Sequence, residues 1–313
     1  MSYVYDHEGL TFGIRNKSSE VELSEFDIFS DCKYENTIER VYWEKIYCNE
    51  GGLVTLRDGG QDELVFQVKQ HKDMVDLNDS YMGLTLRLRK YTDANGVTAP
   101  GATEKVFVSN MIMTALFTDL NIEINGTMVH NTHGLYFLQS YLQLLLHTSR
   151  DSLPKWEASA AYYNDTSLTA TDPTSQGFCA NTLRRVERFK GGKSVSLQAP
   201  IFSSGITNSA RLFPSLTQMK FTFKKGNEAY HVTKPSNIAG TFFIEIQEAC
   251  LFIKRVVPYK EVLNSIEDRL NRGQRALYFF DNWITRHWAI DKGLSSVRVE
   301  NVLRTSFLPQ VSR

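Results

Sequence analysis

The chain lacks net charge. Its 35 Lys and Arg residues are matched by 35 Asp and Glu. A formally neutral protein has no long-range field to draw in a polyanion, which argues against a dedicated nucleic-acid binder and against electrostatic capture by an anionic membrane. Cysteine is scarce. Cys32, Cys48, Cys179 and Cys250 stand far apart with no C-x-x-C pair, so neither a zinc knuckle nor a dithiol redox motif is present and buried free thiols are the expected state. Long apolar runs are missing as well, and no stretch reaches the roughly 20 residues that a membrane-spanning helix needs. The first ten residues, MSYVYDHEGL, contain no basic segment leading into an apolar one, so a secretory signal is not read and a soluble intracellular product with no transmembrane segment is expected.

Recognisable chemistry is also thin. Gly191-Gly192-Lys193-Ser194 has the end of a phosphate-binding loop, but Glu187 stands where the leading glycine belongs, and Ser194 opens a strand pattern rather than a helix. His130 and His133 lie three apart without a third ligand nearby. No G-x-S-x-G elbow occurs. Arg87, Arg89, Lys90 and Tyr91 form a basic and aromatic strip that reads either as a nucleic-acid contact or as a solvated strand face or subunit contact, the latter being favoured. No catalytic residue, metal ligand or cofactor site is assigned, and the expectation is a protein that is not an enzyme.

What the chain does contain is material for a large β core, with 42% hydrophobic and 12% aromatic residues. Residues 106–151 organise the rest. Leu120, Ile122 and Ile124 alternate with Asn121, Glu123 and Asn125, the period of a strand with one buried face. Asn125-Gly126 tolerates the two positive φ angles of a type I′ turn, so Thr127 to His130 should return as a hairpin. From Gly134 the period becomes helical, with Leu135, Leu138, Leu142 and Leu145 on one stripe widened by Tyr141 and Leu144, so the helix should lay this stripe on the β core.

Further alternations predict strands at 64–69, 82–89, 194–198, 219–224 and 242–257, the last with a bulge near Glu248. Pro258 should open a helix carrying Tyr259, Val262, Leu263, Ile266 and Leu270, with Gly273 at its C′ position. Two more strand-like runs lie at 275–288 and 297–303. Residues 92–103 and 151–183 read as long loop excursions, the second lying outside the core. Short strands, long loops and two convincing helices argue for an all-β antiparallel sandwich.

Four blocks, taken in order, resemble a known family. They are Ser24 to Phe29; Asp76 to Tyr81 running into Leu84 to Arg89; Leu116 to Leu120 through Asn125-Gly126, Tyr136 to Leu146 and Tyr162 to Asp165; and Val256-Val257-Pro258 with Val262 to Leu270, then Asn301 to Leu303 and Phe307 to Pro309. Over roughly residues 24–310 the chain resembles the major capsid protein of the polinton and adintovirus group, a double jelly-roll family.

The resemblance implies an N-terminal arm (1–23), a first jelly roll (24–257), and from 258 a linker helix and the beginning of a second jelly roll cut short at Arg313. It implies a structural virion protein forming trimeric pseudo-hexagonal capsomers of an icosahedral capsid. Its partners would be itself, neighbouring capsomers, and penton and minor capsid proteins, with no specific nucleic-acid sequence. It would be made in the host cytoplasm or nucleus, not secreted, and placed in the virion capsid.

Leu135, Leu138, Leu142, Leu145, Val262, Ile266 and Leu270 are then candidate intersubunit contacts. Otherwise the two helices cover an open end of their own barrel. Other readings also stay open: a minor capsid or single-jelly-roll relative, a cupin-like enzyme, or a jelly-roll carbohydrate-binding module, whose exposed aromatics would be sought at Trp43, Trp156, Trp283 and Trp288.

Overall fold

The computed structural model describes residues 37–48, 63–91, 96–101, 103–147, 149–163, 180–203, 205–207, 211–227, 230–235, 237–278 and 293. Eight principal strands are β1 (Ile38–Tyr47), β2 (Glu63–Val68), β3 (Met74–Tyr91), β6 (Phe117–Ile124), β7 (Thr127–Asn131), β8 (Ser194–Pro200), β9 (Met219–Lys225) and β11 (Phe242–Pro258). Three two-residue strands, β4 (Val97–Thr98), β5 (Phe107–Val108) and β10 (Val232–Thr233), tie down loops. The helices are α1 (Ile112–Ala115), α2 (Tyr136–His147), α3 (Leu153–Ala160), α4 (Ala180–Phe189) and α5 (Lys260–Asn271).

The pairings of the principal strands nest inside one another. β6 pairs with β7, β3 with β8, β2 with β9 and β1 with β11, all antiparallel. Such a set is one long eight-stranded hairpin. Two further antiparallel contacts, β11 with β3 and β9 with β6, roll it into two sheets of order β1-β11-β3-β8 and β2-β9-β6-β7. An eight-stranded hairpin rolled into two such sheets is a jelly roll.

Alternation drives the burial. Leu84, Leu86, Ile246, Leu251 and Ile253 of the first sheet face Leu64, Phe66, Leu120, Ile122, Phe221 and Phe223 of the second, each with at most a few per cent of its surface exposed. Burying each such side chain contributes about 1.5–3 kcal/mol. Phe223 is the hub, with the rings of Phe66, Phe117 and Tyr136 centred 6.0, 5.1 and 5.9 Å from its own.

The local signals are realised in the backbone. Asn125 and Gly126 take φ of 49° and 79° at the tip of the β6–β7 hairpin. β11 shifts register between Ile246 and Glu248, so one strand runs through the expected bulge. Gly273, at φ 82°, ends α5: its N–H reaches the Leu270 carbonyl at 2.9 Å and the Gln274 N–H reaches Arg269 at 3.0 Å, the paired bonds of a Schellman cap.

Two findings differ from expectation. The stretch 151–183, expected outside the core, supplies α3 and buries Ala160, Ala161, Tyr162 and Tyr163, because a small-residue helix end lets two aromatic rings reach the interior. Helices α1, α3 and α4 were not foreseen. α5 carries a half-buried face and buries none of its residues completely. The arm at 1–23, the 24–29 block and the strand-like run 297–303 lie outside the described residues, as does the run 275–288 beyond Tyr278; residues 274–278 carry no strand.

Candidate assembly surface

The helix α2 is where fold and surface meet. Gly134, at φ 77°, turns the chain out of the β7 hairpin, and the Leu135 N–H bonds the Thr132 carbonyl at 3.2 Å as the helix begins. The face turned to the barrel carries Tyr136, Gln139, Ser140 and Leu144, all buried. Ser140 donates its hydroxyl to the Tyr136 carbonyl at 2.6 Å, which satisfies it inside the core. Burial holds the Tyr136 phenol well above its ordinary pKa, so it stays neutral.

The leucine stripe points the other way. Leu138, Leu142 and Leu145 are 40, 39 and 47% exposed, and Phe137 and Leu146 lie exposed beside them. Leu135 is half-buried. The helix therefore has two apolar faces, one seated on its own barrel and one turned outward. Between Leu135 and Leu146 no Asp, Glu, Lys or Arg occurs, so the outward face is also free of charge. Aromatic and aliphatic residues without charge mark the centre of a protein interface rather than an ordinary solvated face.

On α5, Val262, Ile266 and Leu270 share a half-buried face with Leu263. Ser215 anchors the helix through a 3.3 Å bond to Glu267. Tyr259, just before it, is half exposed.

The other candidate residues are occupied by their own chain. Arg87 donates to the Gly192 carbonyl at 2.7 Å, Arg89 meets Glu245 at 3.5 Å, Lys90 pairs with Glu104, and Tyr91 stacks on Phe243 at 4.4 Å. This strip holds loops to the sheet, so the solvated-face alternative to a nucleic-acid contact becomes a structural role. Gly191 and Gly192 take positive φ in the turn that leads into β8.

His130 is buried, and burial pushes its pKa down to about 4, opposed by the Asp119 carboxylate and helped by His133. Among the described residues no group of three or more His, Cys, Asp and Glu is placed to hold a metal ion, and no helix is long and apolar enough to cross a membrane. Cys48 and Cys250 are free and buried, and burial raises both thiols. Cys32 and Cys179 lie outside the described residues.

Of the two described tryptophans, Trp43 is half exposed on β1, whereas Trp156 leans on Phe202 with ring centres 6.2 Å apart. Trp283 and Trp288 lie outside the described residues.

No protein-family model and no curated protein matches the sequence. Among solved structures, the chain is similar to that of the Sputnik virophage determined by cryo-EM at 3.5 Å, with a TM-score of 0.49, 10% identity, and coverage of 75% of this chain and 51% of that one. It is similar to the crystal structure of the mavirus major capsid protein, with a TM-score of 0.44, 10% identity, and coverage of 76% and 50%. It is also similar to the Faustovirus major capsid protein, with a TM-score of 0.42, 11% identity, and coverage of 82% and 62%. The chain thus spans between half and two thirds of the length of these proteins.

Proposed function

We propose that this chain is a structural virion protein, a major capsid protein that acts through its surfaces and not through a catalytic pocket. The observation that carries the reading is the outward face of α2, where Leu138, Leu142 and Leu145 stand exposed without a charged neighbour in the helix while the opposite face is already seated in the core. A single jelly roll has no internal use for that second face. A second copy of the chain would cover it, and large apolar contacts of about 2,000 Å² or more are what obligate subunits bury.

The four sequence blocks support the finer reading: a relative of the polinton and adintovirus group, assembling as trimers of pseudo-hexagonal outline in an icosahedral capsid, with penton and minor capsid proteins as neighbours. On this reading Leu135, Leu138, Leu142 and Leu145, together with Val262, Ile266 and Leu270, contact another subunit. Near-zero net charge suits side-by-side packing of many copies, which a strong single-sign charge would oppose. Electron microscopy of the purified chain at rising concentration tests the proposal. Three-fold particles or ordered arrays are expected, and dispersed single barrels at every concentration would overturn it.

A further inference from the structure

The first sheet ends on an uncovered strand. β1 pairs with β11 on one side, and among the described residues no strand pairs with its other side. One bond gives the phase of the ladder. Cys48 continues the register that sets Tyr47 against Cys250, and its N–H donates to the carbonyl of Ala249, the residue opposite, at 3.3 Å. In an antiparallel pair such a residue turns both its N–H and its C=O toward the partner strand, and its neighbours in sequence turn theirs away. Tyr42, Glu44, Ile46 and Cys48 therefore face β11. Val41, Trp43, Lys45 and Tyr47 aim their N–H and C=O groups at the free edge, and no backbone bond from these groups is found among the described residues.

The same four residues carry the outward side chains. Val41, Trp43 and Tyr47 are exposed, and Lys45 is neutralised by Glu248 at 2.7 Å. The Trp43 indole N–H reaches the Asp79 carbonyl at 3.4 Å, which holds its ring on the outer face. Native proteins blunt such edges with proline, bulges, charge or a covering segment. From Arg40 to Tyr47, β1 has no proline and no register shift, and the charge at its outward positions is paired. A covering segment is what remains.

The chain holds a segment of suitable form nearby. Thr37 leads into β1, and 36 residues precede it. Among them Phe26 and Ile28 alternate with Glu25 and Asp27, one apolar and one acidic face of period two. Only residues 30–37 separate Phe29 from β1, and so short a tether keeps the segment at an effective concentration of about millimolar. Set antiparallel with Phe26 opposite Trp43, the register brings Ile28 opposite Val41 and Ser24 opposite Lys45, so apolar meets apolar. A slip of one residue would put Glu25 and Asp27 on the aromatic face instead.

We propose that residues 24–29 of the same chain close this edge as an additional strand, antiparallel to β1. The proposal uses neither α2 nor the capsid reading.

Hydrogen exchange with residue-level fragmentation on the full chain, at two protein concentrations, tests it. The amides of Val41, Trp43, Lys45 and Tyr47 are expected to exchange on the order of a hundredfold more slowly than free amides at both concentrations. In a Phe26→Asp, Ile28→Asp double variant those four should return to rapid exchange, while Tyr42, Glu44 and Ile46, bonded to β11, stay slow. Rapid exchange at the four outward amides of the natural chain would overturn the proposal, as would protection that the double variant leaves in place. Protection that fades on dilution would give the edge to another copy and overturn it too. If the double variant releases all seven amides together, Phe26→Ala decides: the outward four should quicken first, and equal quickening of both sets would overturn the proposal.

Discussion

The Arg255 guanidinium, buried to a side-chain exposure of 2%, lies 2.7 Å from the Glu44 carboxylate across the β1–β11 pair. A second contact runs from Arg255 to the Lys69 carbonyl at 3.4 Å, beyond the end of β2. The pair thus fastens the outermost strand of one sheet to the chain leaving the other. Glu44 is itself 40% exposed, so water softens the loss of its charge. Glu44→Gln is expected to cost about 1–2 kcal/mol in urea unfolding, and Arg255→Ala more, because it also leaves a cavity.

Acid should loosen the fold. His130 and His231 are buried, and desolvation pushes both down from 6.5 to about 4; Lys225 adds to the effect at His231 and the Ala115 carbonyl opposes it. Between pH 6.5 and 4 the unfolded chain binds protons that the folded one refuses, so stability is full above the upper value and falls as pH drops through the window. Each histidine contributes on the order of 2–3 kcal/mol of that loss. Denaturant titrations at pH 7, 5.5 and 4.5 check it, and His231→Gln should flatten part of the slope. A pH-independent midpoint would contradict the assignment.

Gly83 is expected to resist substitution. Gly83→Ala should destabilise by about 1–3 kcal/mol, since its methyl meets Phe252 at 3.0 Å and Cys250 at 3.1 Å. Because the Phe252 ring is the obstacle, the cost should shrink when Gly83→Ala is made in a Phe252→Ala background. Equal cost in both backgrounds, measured as a double-mutant cycle, would show that the strain lies elsewhere.

Much of the architecture was legible because its signals are local. Alternation of period two located β2, the second half of β3, β6, β8, β9 and β11 but not β1, Asn125-Gly126 located a hairpin, and the break in pattern at Glu248 located a bulge. The rotation of α2 was not. Its buried face includes Gln139 and Ser140 and its exposed face is leucine, so amphipathic reasoning points the helix the wrong way until the ring of Tyr136 is seen against Phe223. The helices around 153–160 and 180–189 were hidden for another reason: they hold few aliphatic residues, and their anchors, such as Arg188 on the Glu157 carbonyl, are long-range.

On the proposed function the leucine face of α2 is a contact between copies. Native mass spectrometry or light scattering at two concentrations, on the natural chain and on Leu142→Glu, tests it most directly. A species at three times the 35.8 kDa chain mass is expected for the natural sequence, and a folded 35.8 kDa monomer for Leu142→Glu with stability changed by no more than about 0.5 kcal/mol, the usual range for an exposed position. A natural chain that stays at 35.8 kDa at both concentrations, or a trimer that Leu142→Glu leaves intact, would contradict it.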